Sequence, residues 1–140
     1  MSTEPIGSRP YPVAISEEEW QQRLSPFEYQ VLRQGGTERP GTSEYEEVRP
    51  AGTYACKACG AELFTAETQF DAHCGWPAFY APSDSDAVEL LEDTSLGMRR
   101  IEVRCANCGS HLGHVFPDGP TETGQRYCVN SLSLDFEPDA

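Results

Sequence analysis

Lysine is almost missing from this chain of 140 residues: Lys57 stands alone, and only ten basic side chains face 23 Asp and Glu, a formal net charge of −13. That imbalance excludes nucleic acid as a partner, because phosphate contact needs clustered Lys and Arg to release counterions. An anionic membrane surface would repel the chain for the same reason. Also absent is any apolar run approaching the roughly 20 residues that span a bilayer, so a soluble protein is expected. Residues 1–14 hold Pro5, Pro10 and Pro12 and no apolar stretch. They are not expected to serve as a secretory signal, and the expectation is a cytoplasmic protein. The length suits one domain, since a chain of this size buries roughly 68% of its unfolded surface.

The three early prolines make residues 1–14 a flexible tail, and 15–140 read as one domain. Ser16-Glu17-Glu18-Glu19 opens a helix, with Ser16 as cap and Glu19 reaching back to it. Ser25-Pro26-Phe27-Glu28 repeats that grammar, with proline at the first helical position. Trp20 and Leu24, then Phe27, Val31 and Leu32, supply the apolar faces, and Gly35-Gly36 stops the second helix. Residues 36–52 form an extended connector with turns. From Gly52 on, short strand-like runs alternate with Gly and Pro: Thr53–Cys56, Glu62–Phe64, Ala87–Leu91, Met98–Val103, Leu112–Phe116, Arg126–Val129 and Leu132–Phe136. The expected architecture is an all-β body with a small helical preface.

One internal repeat is present, and it concerns cysteine. Cys56-Lys57-Ala58-Cys59-Gly60 recurs as Cys105-Ala106-Asn107-Cys108-Gly109. At this composition one CxxCG is expected by chance only about 0.02 times, so two copies are no accident. Two thiolates two residues apart can fold a tight turn around a metal, and the following glycine allows positive φ. Two such turns supply four sulfurs in a tetrahedron, the closed geometry of structural zinc. Iron held as in rubredoxin uses the same spacing. A pair of redox CxxC disulfides is the weaker alternative, because such motifs normally open a helix and these sit in strand-turn sequence.

Cys74 and Cys128 lie outside the knuckles, in Cys74-Gly75-Trp76-Pro77-Ala78-Phe79 and Arg126-Tyr127-Cys128-Val129-Asn130-Ser131. They are either buried hydrophobes or a redox couple. Arg126 and Asn130 each stand two residues from Cys128, so on a strand all three share one face. A cation there favours the thiolate, and an amide can donate to it. His111-Leu112-Gly113-His114 adds an acid–base pair. On a straight strand the two rings would face opposite ways, and Gly113 is expected to let the backbone bend. Trp76 and Phe79 are core residues by default, or else walls of an apolar substrate pocket.

Together these residues resemble the B-type methionine sulfoxide reductases, which reduce the R epimer of methionine sulfoxide. The match runs from the capped helix at Ser25 through Gly36-Thr37-Glu38 to Phe136. Its most specific stretches are Cys74-Gly-Trp-Pro, the run from His111 to Pro120 (HLGHVFPDGP), and the run from Gly124 to Ser131 (GQRYCVNS). The resemblance implies a mainly β fold of two packed antiparallel sheets, with a four-cysteine zinc clip and short N-terminal helices. It implies Cys128 as nucleophile, Cys74 as resolving thiol, and His111, His114 and Asn130 as the groups that hold and protonate the sulfoxide oxygen. Trp76 would contact the substrate methyl, with Phe79 and Arg126 as further substrate-binding residues. Cys56, Cys59, Cys105 and Cys108 would hold zinc, oxidised proteins or peptides would be the substrate, and thioredoxin the reductant. The sequence departs from the family at Asp71-Ala72-His73-Cys74, where Asp-Ser-Gly-Cys is more frequent. A binding module on the same scaffold would need neither Cys74 nor Cys128, and a rubredoxin-like carrier would not need the histidine pair.

Overall fold

A computed structural model of the chain describes residues 16–34, 51–70, 76–84, 86–94, 99–119 and 121–138. The tail over 1–14, the Gly35-Gly36 stop, the connector up to residue 50 and the His73-Cys74 pair lie outside the described residues.

Hydroxyl caps start both helices. Helix α1 (Glu17–Arg23) begins at Ser16, whose Oγ accepts from Glu19 N at 3.1 Å. Glu19 turns its carboxylate forward to Arg23, 2.6 Å away, rather than back to the cap. Helix α2 (Pro26–Gln34) has the full reciprocal pair: Glu28 N donates to Ser25 Oγ at 3.2 Å, and Ser25 N donates to Glu28 Oε1 at 2.9 Å. Trp20, Leu24, Val31 and Leu32 are buried, but Phe27 is 72% exposed. Phe27 lies in the first turn, and the covered part of α2 starts one turn later.

Among the described residues nine strands follow: β1 (Gly52–Cys56), β2 (Glu62–Thr65), β3 (Gln69–Phe70), β4 (Ala78–Phe79), β5 (Val88–Asp93), β6 (Arg100–Cys105), β7 (His111–Phe116), β8 (Arg126–Val129) and β9 (Leu134–Pro138). Leu132, expected at the start of the last strand, lies instead in a 3-10 turn, Ser131–Ser133. The strands build two antiparallel sheets, ordered β2-β1-β9 and β3-β4-β8-β7-β6-β5. This is the mainly β, two-sheet fold with short helices that the sequence suggests.

Aromatic side chains fill the space between the sheets. Phe64 stacks on Phe79 with centroids 4.3 Å apart, and Tyr54 meets Phe79 edge-on at 5.1 Å. Each such fully buried side chain stabilises the fold by about 1.5–3 kcal/mol. The helices close one end through Arg33, a buried residue of α2. Its Nη1 donates to Cys108 O at 2.8 Å and to Ser110 Oγ at 3.1 Å, its Nη2 pairs with Glu17 at 3.2 Å, and its guanidinium lies 4.8 Å from the Trp20 ring centroid. Among the described residues no helix is long and apolar enough to cross a membrane.

Candidate metal centre and active site

Each cysteine knuckle caps a hairpin, and the two hairpins are built alike. In the first, Gly60 N donates to Cys56 O at 2.8 Å and Cys56 N to Ala61 O at 2.8 Å; in the second, Gly109 N donates to Cys105 O at 2.8 Å and Cys105 N to Ser110 O at 2.9 Å. Gly60 and Gly109 take φ of 83° and 80°, the left-handed conformation that glycine adopts without strain. The likeness continues past the turns. Leu63 is an extra residue between the Tyr54–Phe64 and Ala55–Glu62 pairs, and Leu112 is extra between Val103–Gly113 and Arg104–His111. A bulge thus stands four residues after the second cysteine of each knuckle.

The four sulfurs of Cys56, Cys59, Cys105 and Cys108 all lie within 4.8 Å of one another. Across the knuckles Cys56 and Cys108 are 3.7 Å apart, and Cys59 and Cys105 are 3.6 Å apart. A tetrahedron with metal–sulfur bonds of about 2.3 Å has edges of about 3.8 Å, so the set fits a metal ion. Asn107 Nδ2 donates to Cys59 Sγ at 3.3 Å, and Ser110 Oγ lies 3.1 Å from Cys108 Sγ. Hydrogen bonds from Cys105 first, and then from other cysteines, draw Cys59 and Cys108 below the usual thiol range, while neighbouring sulfurs hold Cys56 and Cys105 above it. Such a crowd ionises completely only around a cation.

The bulge at Leu112 also shapes a second site. Residues three apart on a regular strand face opposite ways. With Leu112 extra, His111 and His114 pair with Arg104 and Glu102, which are two apart, and so share one face of β7. Their ring centroids are 5.6 Å apart. The expected bend at Gly113 is therefore a bulge at its neighbour. Gly113 matters in another way: a Cβ there would lie 1.9 Å from Cys128 O, so its missing side chain is what lets β8 approach.

On β8, Cys128 pairs with His114 on one side and Ala78 on the other. Arg126 donates from Nη1 to Cys128 Sγ at 3.3 Å. Two further bonds hold that arginine on Asp118, at 2.8 and 3.1 Å, and its guanidinium lies 4.5 Å from the Phe116 ring centroid. The same pairing keeps the exposed Asp118 carboxyl below its usual range. Trp76, Arg100, His114, Phe116, Cys128 and Asn130 line a cleft of about 80 Å³. Trp76 is seated there by its neighbour Pro77, whose carbonyl accepts from Val129 N at 3.1 Å. Asn130 turns Nδ2 to Leu112 O at 2.9 Å, tying the bulge to the end of β8.

Behind the histidines stand charged groups that sequence reasoning missed. His111 Nδ1 meets Glu102 Oε2 at 2.6 Å, and Arg104 Nε lies 3.0 Å from the other oxygen. His114 Nε2 meets Asp93 Oδ2 at 2.8 Å, with Arg100 at 3.5 Å from the same oxygen. Burial lowers the His114 pKa, and Arg100 and His111 lower it further against the pull of Asp93. Burial raises Glu102, yet His111 and Arg104 outweigh it and bring the carboxyl below its usual range. The signal available in sequence was alternation: Arg100, Glu102 and Arg104 are charged at every second position of a strand whose other face puts Val103 and Cys105 in the core.

Phe79, expected at the pocket, is a core residue. It follows Ala78, the partner of Cys128, and so points to the opposite face of β4, where it stacks on Phe64. Cys74 lies outside the described residues, so its place relative to Cys128 is not part of this geometry.

Residues 24–138 match the family described as the SelR domain. The chain is 62% identical over 134 residues to the peptide methionine sulfoxide reductase MsrB of Leifsonia xyli, covering 95% of this chain and 96% of that protein. It is 58% identical over 127 residues to MsrB of Chromohalobacter salexigens (90% and 96% covered) and 56% identical over 127 residues to that of Methanosarcina barkeri (91% and 89%). With two CxxCG hairpins, a cysteine strand and a histidine pair in one fold, and likeness at this level over nearly its whole length, the chain belongs to the SelR domain family of MsrB methionine sulfoxide reductases.

Proposed function

We propose that the protein reduces the R epimer of methionine sulfoxide to methionine, in oxidised proteins or peptides, with Cys128 as nucleophile. One observation carries the reading: Cys128 stands on an interior strand with Arg126 3.3 Å from its sulfur, His114 paired across the sheet, and Trp76 walling the same cleft.

A sulfoxide sulfur is a poor electrophile until its oxygen gains a proton, so an acid must accompany the thiolate. Arg126 favours the thiolate of Cys128, which is only 7% exposed. His114 and His111 supply the proton, Asn130 helps hold the oxygen, and Trp76 packs on the substrate methyl. Attack forms a bond from Cys128 to the sulfoxide sulfur; transfer of the oxygen leaves methionine and a Cys128 sulfenic acid. Cys74 then attacks that sulfur, water leaves, and a Cys74–Cys128 disulfide remains. Cys74 precedes Ala78, the strand partner of Cys128, by four residues, a span of at most about 14 Å. A dithiol of the thioredoxin type resets the enzyme by exchange. Zinc is the proposed metal; Cys56, Cys59, Cys105 and Cys108 would hold it, and with all four ligands from the protein it would serve the fold rather than the reaction.

Separated epimers test the assignment. The R epimer should turn over with thioredoxin and the S epimer should not, and activity confined to S would overturn it. Cys128→Ser should lower turnover about a thousandfold or more with metal content unchanged. Cys74→Ser should release about one methionine per enzyme and then stop.

A further inference from the structure

The two imidazoles meet their carboxylates through different nitrogens: Nδ1 of His111 faces Glu102, and Nε2 of His114 faces Asp93. An ionised carboxylate only accepts, so the nitrogen facing it carries a proton. When neutral, His111 is therefore the Nδ1–H form and His114 the Nε2–H form. Neither carboxylate is free to wander. Glu102 is 4% and Asp93 6% exposed, and Arg104 and Arg100 stand 3.0 and 3.5 Å away. Nε2 of His111 is buried and has no hydrogen-bond partner among the described residues, as suits a nitrogen held open for a bound group.

We infer that Asp93 and Glu102 are positioning residues that lock the two imidazoles in opposite tautomers, leaving Nδ1 of His114 and Nε2 of His111 to meet the sulfoxide oxygen. What those nitrogens meet rests on the proposed function; the tautomers do not. The lock has a chemical use. A doubly protonated ring hands over the proton on its open nitrogen and relaxes to the tautomer its carboxylate already holds, with no ring rotation. The two rings make the offer from different atoms, so one substrate oxygen between them can be approached from two directions.

Long-range 15N–1H correlation spectra read the tautomers directly, without substrate, at about pH 8.5, well above the usual histidine pKa of about 6.5. His111 should appear as Nδ1–H and His114 as Nε2–H. Asp93→Ala should mix the tautomers of His114 alone, and Glu102→Ala those of His111 alone. Each should slow single-turnover sulfoxide reduction about tenfold or more. Asp93→Asn and Glu102→Gln keep an accepting oxygen, and should restore the tautomer and bring the rate to within about threefold of wild type. Glu92→Gln, beside Asp93 but exposed and paired with Arg99, should change neither. Wild-type rings in the reverse tautomers overturn the inference, as do alanine variants whose tautomers do not move. If an alanine variant fails to fold, the wild-type spectrum decides. The stated tautomers in a protein without sulfoxide reductase activity would uphold the lock and refute the proposed function.

Discussion

The β1–β2 and β6–β7 hairpins are the same object put to two uses. Each has a CxxCG turn, a glycine at φ near 80° and a leucine bulge four residues after the second cysteine. At equivalent places the first carries Glu62, Phe64 and Thr65, and the second His111, Gly113 and His114. The surroundings explain the difference. Strand β2 is the edge of its sheet, so Phe64 fills core and Glu62 faces water. Strand β7 is interior, with β6 and β8 alongside, so its outer positions meet charged residues and a thiol instead of solvent. Local sequence sets a hairpin's shape, and its neighbours decide whether that shape becomes a wall or a reaction site.

The largest test asks whether the hairpins are equal partners. Cys56→Ser and Cys105→Ser should each release the metal and destabilise the protein by several kcal/mol, read by metal content and thermal melting. Loss of metal from one variant only would break the symmetry. A smaller effect comes from the equivalent pair Phe64 and Gly113. Phe64→Ala should cost about 3–5 kcal/mol through a core cavity while leaving the kcat of folded protein nearly intact. Gly113→Ala should cost about 2–3 kcal/mol, because β7 and β8 must part around the new Cβ. It should also lower kcat about tenfold or more as Cys128 shifts from His114.

The smallest effect is electrostatic and confined to the second hairpin. Burial, with Arg100 and His111 adding to it against Asp93, depresses the folded pKa of His114. In mild acid the unfolded chain therefore binds more protons at this residue than the folded one. Its contribution to stability is complete above about pH 6.5 and declines as pH falls toward the folded value. Urea midpoints across that range should fall with acid, and His114→Gln should flatten the slope.

What was legible in the sequence is what short stretches decide alone. The glycines after each knuckle, the Ser25–Glu28 box and the parity that puts Arg126 beside Cys128 all follow from neighbours a few residues apart. Strands β3 and β4 are two residues each, too short for alternation, and exist because β8 offers an edge to pair with. The Leu112 bulge was within reach: Cys-Gly-Ala-Glu-Leu at 59–63 and Cys-Gly-Ser-His-Leu at 108–112 extend the repeat past its cysteines. Phe79 and Phe27 went the other way, since pairing and packing, not local pattern, decide which side of β4 and which turn of α2 are covered. Asp93 and Glu102 escaped because an acidic residue on a strand reads as solvent-facing until the imidazole opposite it is known.

Strand β8 joins β4 to β7 although it follows every other strand of its sheet along the chain. A polypeptide leaves the ribosome N-terminus first, at about 5–20 residues per second. Both knuckles are thus synthesised before the strand that fills the gap between β4 and β7. Only Arg126–Val129 closes that gap, and the same four residues bring the Cys128 thiol and the Arg126 cation. Completion of the sheet and arming of the cleft are a single event. A chain ending before Arg126 would carry all four knuckle cysteines but neither the strand between β4 and β7 nor the Cys128 thiol.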